Sequence, residues 1–307
     1  MMNKKAIKCA ARTYTTQTGR KEEWRLRLGI VMAGAGAHAA ANIGVLRELE
    51  RRGIVPYAVC GLQAGAWPAA LVAAGMSQQS MEKALYQAAR AGSRMIAPVW
   101  YERFVPSLMR MPSGVRLNHL LSAQLGQRIL PMCHGIAVFP CRMMRTGQRV
   151  VFSTRSYMPD GGDMLAMQAS LGFAARASMG FAPFLSPATY MGSYLLGETD
   201  LALACRQLML LGAHRVLIVD PVPSPRRVPD ALDLAAGAFV HADEQMHEPE
   251  AAVLRVTMPD HAGALSLSRL EACAASGERA AASALDDLFE RMGMAHCRVL
   301  AFRRRYS

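Results

Sequence analysis

The sequence of 307 residues lacks a long hydrophobic run, because no apolar stretch reaches the roughly 18 residues of a membrane-spanning helix. It also lacks a secretory h-region of about 7–15 apolar residues near its start. Its 7 cysteines include no C-x-x-C pair. These absences favour a cytoplasmic protein with reduced, mostly buried thiols and argue against a disulfide framework or a metal site.

The sequence has fewer acidic than basic residues, with 23 Asp and Glu against 35 Lys and Arg, so the net charge is +12. Residues 1–27 carry +6 of this charge and Arg303, Arg304 and Arg305 carry +3, so the remainder is only about +3. Basic ends are compatible with peripheral contact at an anionic membrane, although a solvated tail is the simpler interpretation. We predict that residues 1–25 form a flexible basic extension and expect no nucleic-acid binding.

A hydrophobic content of 52% is ample for a packed core. Strand and helix patterns alternate, beginning with a strand over 26–32, a helix over 39–52, a strand over 54–60 and a helix over 64–74. This alternation predicts one α/β domain over 26–307, with a mainly parallel sheet between helices. Pro98, Pro106, Pro112 and Pro131 indicate a variable cover at about 92–131.

Later segments predict further elements. We expect a hairpin over 135–154, a helix over 166–177, a strand over 190–196 and a strand over 215–220. Two helices, over 268–275 and 279–292, and a last strand over 297–302 are expected near the end.

Two glycine-containing turns follow the first two strands. The first contains Gly34, Ala35, Gly36 and Ala37, and small residues at a helix start can present backbone N–H groups to an anion. The second is Gly61-Leu62-Gln63-Ala64-Gly65, which has the G-x-X-x-G spacing of a nucleophile elbow. Its central residue is Gln63, and glutamine is not a nucleophile.

These residues resemble the patatin-like phospholipase family. The family's glycine-rich oxyanion motif corresponds to residues 33–46, its G-x-S-x-G elbow to residues 61–65, and its A-S-x-x-x-P segment to Ala177, Ser178 and Pro183, with one extra residue. The resemblance implies a patatin-like three-layer sandwich over roughly 26–292. It also implies a Ser–Asp dyad and a loop whose N–H groups bind the oxyanion.

Both dyad positions depart from the family pattern. Gln63 stands at the serine position and Leu196 at the aspartate position. Our first hypothesis is therefore a pseudoenzyme without cofactor or metal, which binds a lipid, an acyl group or a protein. An active acyl hydrolase with a rearranged site is the alternative, and the oligomeric state stays open. Alanine at family glycine positions predicts strain of about 1–2 kcal/mol wherever the backbone needs a positive φ.

Other residues are candidates to replace the missing dyad. Asp160-Gly161-Gly162 spells the family's aspartate motif but precedes Ala177, and a turn is the better interpretation. We interpret Ser170 as a helix serine, Asp200 as an N-cap and Cys60 as a buried thiol. The polar cluster at 241–248 fits no zinc motif.

A nucleotide-binding protein is a third hypothesis. Gly34, Gly36 and Ala39 satisfy the dinucleotide pattern G-x-G-x-x-G/A after a strand. The pattern requires an acidic residue about 20 positions later, where the chain has Val59 and Cys60.

Overall fold

The computed structural model describes residues 26–95, 114–182, 184–237 and 250–294. Its centre is a mainly parallel nine-stranded sheet, in which the strand order is β5-β4-β3-β2-β1-β8-β9. β7 pairs with the end of β3 and with β6, and both of these pairings are antiparallel. The strands are Leu28–Met32 (β1), Ala58–Gly61 (β2), Ile136–Met143 (β3), Arg149–Ser153 (β4), Met164–Ala166 (β5), Ala188–Tyr190 (β6), Ser193–Gly197 (β7), Arg215–Val222 (β8) and Ala251–Thr257 (β9).

The α-helices flank this sheet. They are Ala41–Arg51 (α1), Ala66–Ala73 (α2), Gln78–Ala91 (α3), Val115–Leu125 (α4), Leu171–Ser178 (α5), Leu201–Leu210 (α6), Ala231–Gly237 (α7) and Leu270–Arg291 (α8). Within the part of the chain that the structure describes, none of these helices combines the length and apolarity needed to cross a membrane.

Alternate residues of the central strand β1 pack into two cores, as expected for a strand buried on both faces. Leu28, Ile30 and Met32 lie in the larger core, together with residues of α1, α2, α5 and α8. Val31 lies in the smaller core, which α6 covers. The predicted α/β arrangement of helices around a mainly parallel sheet is confirmed.

The predicted hairpin is also confirmed, since β3 and β4 pair antiparallel from Val138–Ser153 to Arg142–Arg149. Two predictions between residues 164 and 197 are corrected. The helix expected over 166–177 begins only at Leu171, because Ser170 caps it and the preceding residues form β5. The strand expected over 190–196 is a second hairpin, whose turn uses positive φ at Met191 and Gly192.

The two helices expected near the C-terminus are one. α8 continues through Ser276 and Gly277, where the sequence suggested a break. A Cβ on Gly277 would lie 2.0 Å from the carbonyl oxygen of Ala41 on α1. This glycine therefore permits close packing of two helices and does not end one. The predicted extension at 1–25, the polar cluster at 241–248 and the strand at 297–302 lie outside the described residues.

Candidate active site

The turn after β2 has the backbone of an elbow. Gln63 has φ +49°, a left-handed conformation that a non-glycine residue adopts only under strain. A Cβ on Gly61 would lie 2.5 Å from Cα of Ala66, and a Cβ on Gly65 would lie 2.0 Å from the carbonyl oxygen of Met32. Both glycines are therefore needed for the turn, which presents the side chain of residue 63 at the start of α2.

Gln63 is only 5% exposed, and its Nε2 is buried without a hydrogen-bond partner among the described residues. An unpaired buried amide costs free energy in addition to the backbone strain. Residues that store strain in this way cluster at functional sites.

We predict that Gln63→Gly raises the free energy of unfolding by about 1 kcal/mol, because glycine adopts positive φ without strain and removes the unpaired amide. Urea unfolding would measure the change. Gln87→Gly is the matched control, because Gln87 is exposed within α3. This control variant should lose about 1 kcal/mol in free energy of unfolding, since glycine is a poor helix former. A loss of stability in Gln63→Gly would contradict the strain.

The loop after β1 keeps glycine where the backbone requires it. Gly34 has φ +129° and Gly36 has φ +49°, whereas Ala35 has an ordinary φ of −95°. The strain expected at alanine-for-glycine positions is therefore absent at Ala35 and, since neither has a positive φ, at Ala33 and Ala39 as well.

Asn42 holds this loop from the first turn of α1. Its Nδ2 donates to the carbonyl oxygens of Ala33 at 2.8 Å and Ala39 at 2.9 Å. The side chain is buried, so these two bonds fix the loop against the helix that follows it.

A later segment covers the loop. The carbonyl oxygen of Ala264 accepts the N–H of Ala37 at 2.7 Å, and a Cβ on Gly36 would lie 2.0 Å from the same oxygen. The N–H of Ala264 in turn donates to Asp233 Oδ1 at 3.1 Å. The Ala37 N–H is therefore already occupied by the chain itself.

A buried ionic network supports this cover. Asp233 accepts from Arg227 Nη1 at 2.5 Å, and its Oδ1 lies 3.6 Å from His38 Nδ1. His38 Nε2 donates to the carbonyl oxygen of Ala262 at 3.2 Å. Burial lowers the pKa of His38, and the Asp233 carboxylate opposes this lowering only in part. His38 therefore connects the turn before α1 to the backbone of Ala262.

An apolar pocket of about 850 Å³, its open mouth included, lies where the two turns meet. Ala35 and Gly36 line it from the loop, and Gln63 and Ala64 line it from the elbow. Apart from the indole of Trp67, whose Nε1 donates to Gln124, Gln63 supplies the polar side chain among the described lining residues. The apolar lining includes Leu117, Leu120, Phe181, Phe184, Leu232 and Leu267.

The structure brings Gln63 and the glycine loop together, but Leu196 is not among the residues that line the pocket. Leu196 lies in β7, opposite Arg142 of β3. The neighbouring Gly197 packs against the carbonyl oxygen of Ser178, where a Cβ would lie at 1.8 Å. The Ser178 hydroxyl donates to the carbonyl oxygen of Gly61 at 3.0 Å, which connects the end of β7 to the elbow.

The candidates to replace the dyad have structural roles as helix caps, a turn and a buried thiol. Ser170 caps α5 by accepting the N–H of Phe173, and Asp200 caps α6 by accepting the N–H of Leu203. Residues 160–162 form a turn before β5. Burial raises the pKa of the Cys60 thiol well above its usual value, so this thiol is not an activated nucleophile. None of these residues lines the pocket.

The elbow and the loop lie in a segment of the chain that matches a known family. The family model of the patatin-like phospholipases matches residues 30–200, which is more than half of the chain. The chain belongs to the patatin-like phospholipase family. Both turns of this patatin-like site fall inside the matched segment. Among curated protein sequences, none matches the chain.

Solved structures with similar folds are of low sequence identity. VipD from Legionella pneumophila is 12% identical with a TM-score of 0.47, and the match covers 90% of this chain and 70% of VipD. The type III effector protein ExoU is 15% identical with a TM-score of 0.41. That match covers 87% of this patatin-like chain and 53% of ExoU, so the chain spans about half of the effector's length.

Sequence reasoning missed the cover of this patatin-like site. Asp230 and Asp233 follow Pro229 at the spacing of a helix start, and Asp230 Oδ1 accepts the N–H groups of Leu232 and Asp233. That signal could have located α7. Ala264 carries no comparable signal, because it acts through its backbone and is distant in sequence. Within the described residues, no group of three or more metal-ligating side chains occurs.

Proposed function

We propose that this protein is a patatin-like pseudoenzyme that binds an acyl chain without hydrolysing it. The observation that carries the proposal is Gln63 at the tip of the elbow, in the position where an acyl hydrolase needs a hydroxyl or thiol. A carboxamide can donate and accept hydrogen bonds but cannot attack a carbonyl carbon.

The side chains around Gln63 support a site that does not catalyse ester hydrolysis. The described residues that line the pocket include no Asp, Glu, His, Lys, Ser or Cys. General acid–base catalysis requires a titratable group within hydrogen-bond reach of the reacting atom. In a well-studied serine hydrolase, removing the nucleophile alone costs on the order of a million-fold in rate.

The lining of the pocket supports an acyl ligand. Its walls are aliphatic and aromatic, with Phe181 and Phe184 stacked at a centroid distance of 6.0 Å. A pocket with apolar walls and one polar group suits a chain with a single polar end. This lining gives no support to the nucleotide hypothesis, since the described lining residues include no acidic side chain to bind a ribose hydroxyl. The cytoplasmic location stays a prediction.

We predict that the purified protein binds 1-dodecanol in calorimetry and releases no fatty acid from phospholipid or short acyl esters. Ala64→Leu should weaken dodecanol binding at least about tenfold, because Ala64 lines the pocket and the larger side chain fills it. The control is Ala275→Leu, on the exposed side of α8, which should bind as the wild type does.

Two results would contradict this function. One is ester hydrolysis that survives purification and disappears in Gln63→Ala. The other is equal dodecanol binding by the wild type and a correctly folded Ala64→Leu variant, since the chain would then lie elsewhere.

A further inference from the structure

Two helix starts without capping side chains meet at this pocket. The turn Gly36–Ala40 leads into α1, the turn Gln63–Gly65 leads into α2, and the two turns contact each other. No side chain caps either turn or either helix, and no acidic residue occupies their first turns. The positive ends of two helices therefore face one site without an acidic neighbour to offset them.

Hydrogen-bond donors remain free at this site. The N–H groups of Gly36 and Ala64 have no backbone acceptor among the described residues, whereas that of Ala37 is taken by Ala264. Both residues line the pocket. Gln63 adds an independent observation, since its side chain is buried, lines the same pocket and carries an unpartnered Nε2. Three donors around one small volume thus lack an acceptor among the described residues.

The nearby acids do not oppose a negative ligand. No carboxylate occurs among the described lining residues. Asp233 is paired with Arg227 and accepts the N–H of Ala264, while Asp230 accepts the N–H of Leu265 at 3.0 Å. Among the described residues, therefore, no unpaired carboxylate lies beside the free donors.

We propose that the natural ligand is a free fatty acid, whose carboxylate accepts from Gln63 Nε2 and from the N–H groups of Gly36 and Ala64. The inference rests on the proposed acyl-binding function and specifies the polar end of the ligand. No bond is made or broken.

A carboxylate uses these donors better than an ester or an alcohol does. It offers two charged oxygens with several acceptor sites, whereas an alcohol offers a single neutral oxygen. Charge-assisted hydrogen bonds are roughly twice as strong as neutral ones. Burial of a carboxylate without a cation is costly, but two or three N–H donors at helix starts are the environment that stabilises its charged form.

The test compares three twelve-carbon probes at pH 8 by calorimetry, namely laurate, methyl laurate and 1-dodecanol. We expect the wild type to bind laurate at least about tenfold more tightly than either neutral probe. Gln63→Glu keeps the size and the backbone conformation but places a carboxylate where the donor was. It should weaken laurate binding about 30-fold or more and dodecanol binding by a clearly smaller factor, because only laurate is repelled by the new charge.

Gln63→Leu is the second variant, because it removes the donor without adding a charge. Laurate binding should weaken about tenfold and dodecanol binding by a smaller factor, because the hydrogen bond to the charged carboxylate is the stronger one. Dodecanol binding also reports that each variant retains a folded pocket. Equal affinity for all three probes, or an equal loss of laurate and dodecanol in Gln63→Glu, overturns the carboxylate proposal alone. Failure of every probe to bind the folded wild type overturns acyl binding itself.

Discussion

Hydrolysis of an acyl ester should appear when Gln63→Ser and Leu196→Asp are introduced together. The serine would take the left-handed elbow position, and the loop N–H groups that line the pocket would stabilise the oxyanion. Release of p-nitrophenol from a short acyl ester, and of fatty acid from phospholipid, would measure the gain. We expect at least about a 100-fold increase over the wild type, well below the million-fold value of a nucleophile in an evolved site.

The position of Leu196 makes the paired change necessary. β7 is connected to the elbow through Gly197, Ser178 and the carbonyl oxygen of Gly61, and Leu196, the residue before Gly197, corresponds to the family's aspartate position. Residues that act as one catalytic unit are strongly non-additive. Gln63→Ser alone and Leu196→Asp alone should therefore each recover little activity and serve as controls.

The outcomes of this experiment are separable. A double variant that binds dodecanol but stays at background would contradict the view that the loop and elbow keep a geometry suited to ester cleavage. Wild-type hydrolysis that the double variant does not increase would mean that the chemistry occurs at other residues.

The fold could be predicted in large part because its central elements have strong local signals. β1 is a continuous apolar strand, and α1 has the apolar spacing that predicted a helix over 39–52, which the structure places at Ala41–Arg51. The errors occur where tertiary packing overrides local preference. Ser276 and Gly277 are residues typical of a helix break. The helix α8 nevertheless continues through Gly277, which packs closely against Ala41 of α1. Three-residue strands such as β5 and β6 are too short for periodicity to identify them.

The site could be predicted only in its outline. The spacing of Gly61 and Gly65 predicted an elbow at residues 61–65. The φ of +49° at Gln63 agrees with this prediction. The cover by Ala264 could not be predicted, because backbone carbonyls carry no residue-specific signal and the contact spans more than 200 positions. The pocket walls likewise come from distant segments, including Leu117, Phe184 and Leu232.

Close packing of α1 against α8 predicts a large loss of stability in Gly44→Ala. A Cβ at Gly44 would lie 1.8 Å from the carbonyl oxygen of Ala274 and 2.6 Å from the N of Glu278. Both neighbours are backbone atoms of one helix, so no side-chain rotation relieves the overlap and the helices must separate. We expect the free energy of unfolding to fall by about 3 kcal/mol, measured by urea denaturation.

Gly172→Ala provides the matched control for this prediction. Gly172 also lies in a helix, α5, but a Cβ there would meet no atom within 4 Å. Alanine should stabilise the protein at this position by about 0.4–1 kcal/mol, because it restricts the unfolded chain without a steric conflict. The same substitution is thus expected to have opposite signs at two helical glycines. If Gly44→Ala also stabilised the protein, the contact between α1 and α8 would not limit the size of residue 44. The glycine would then reflect no packing requirement.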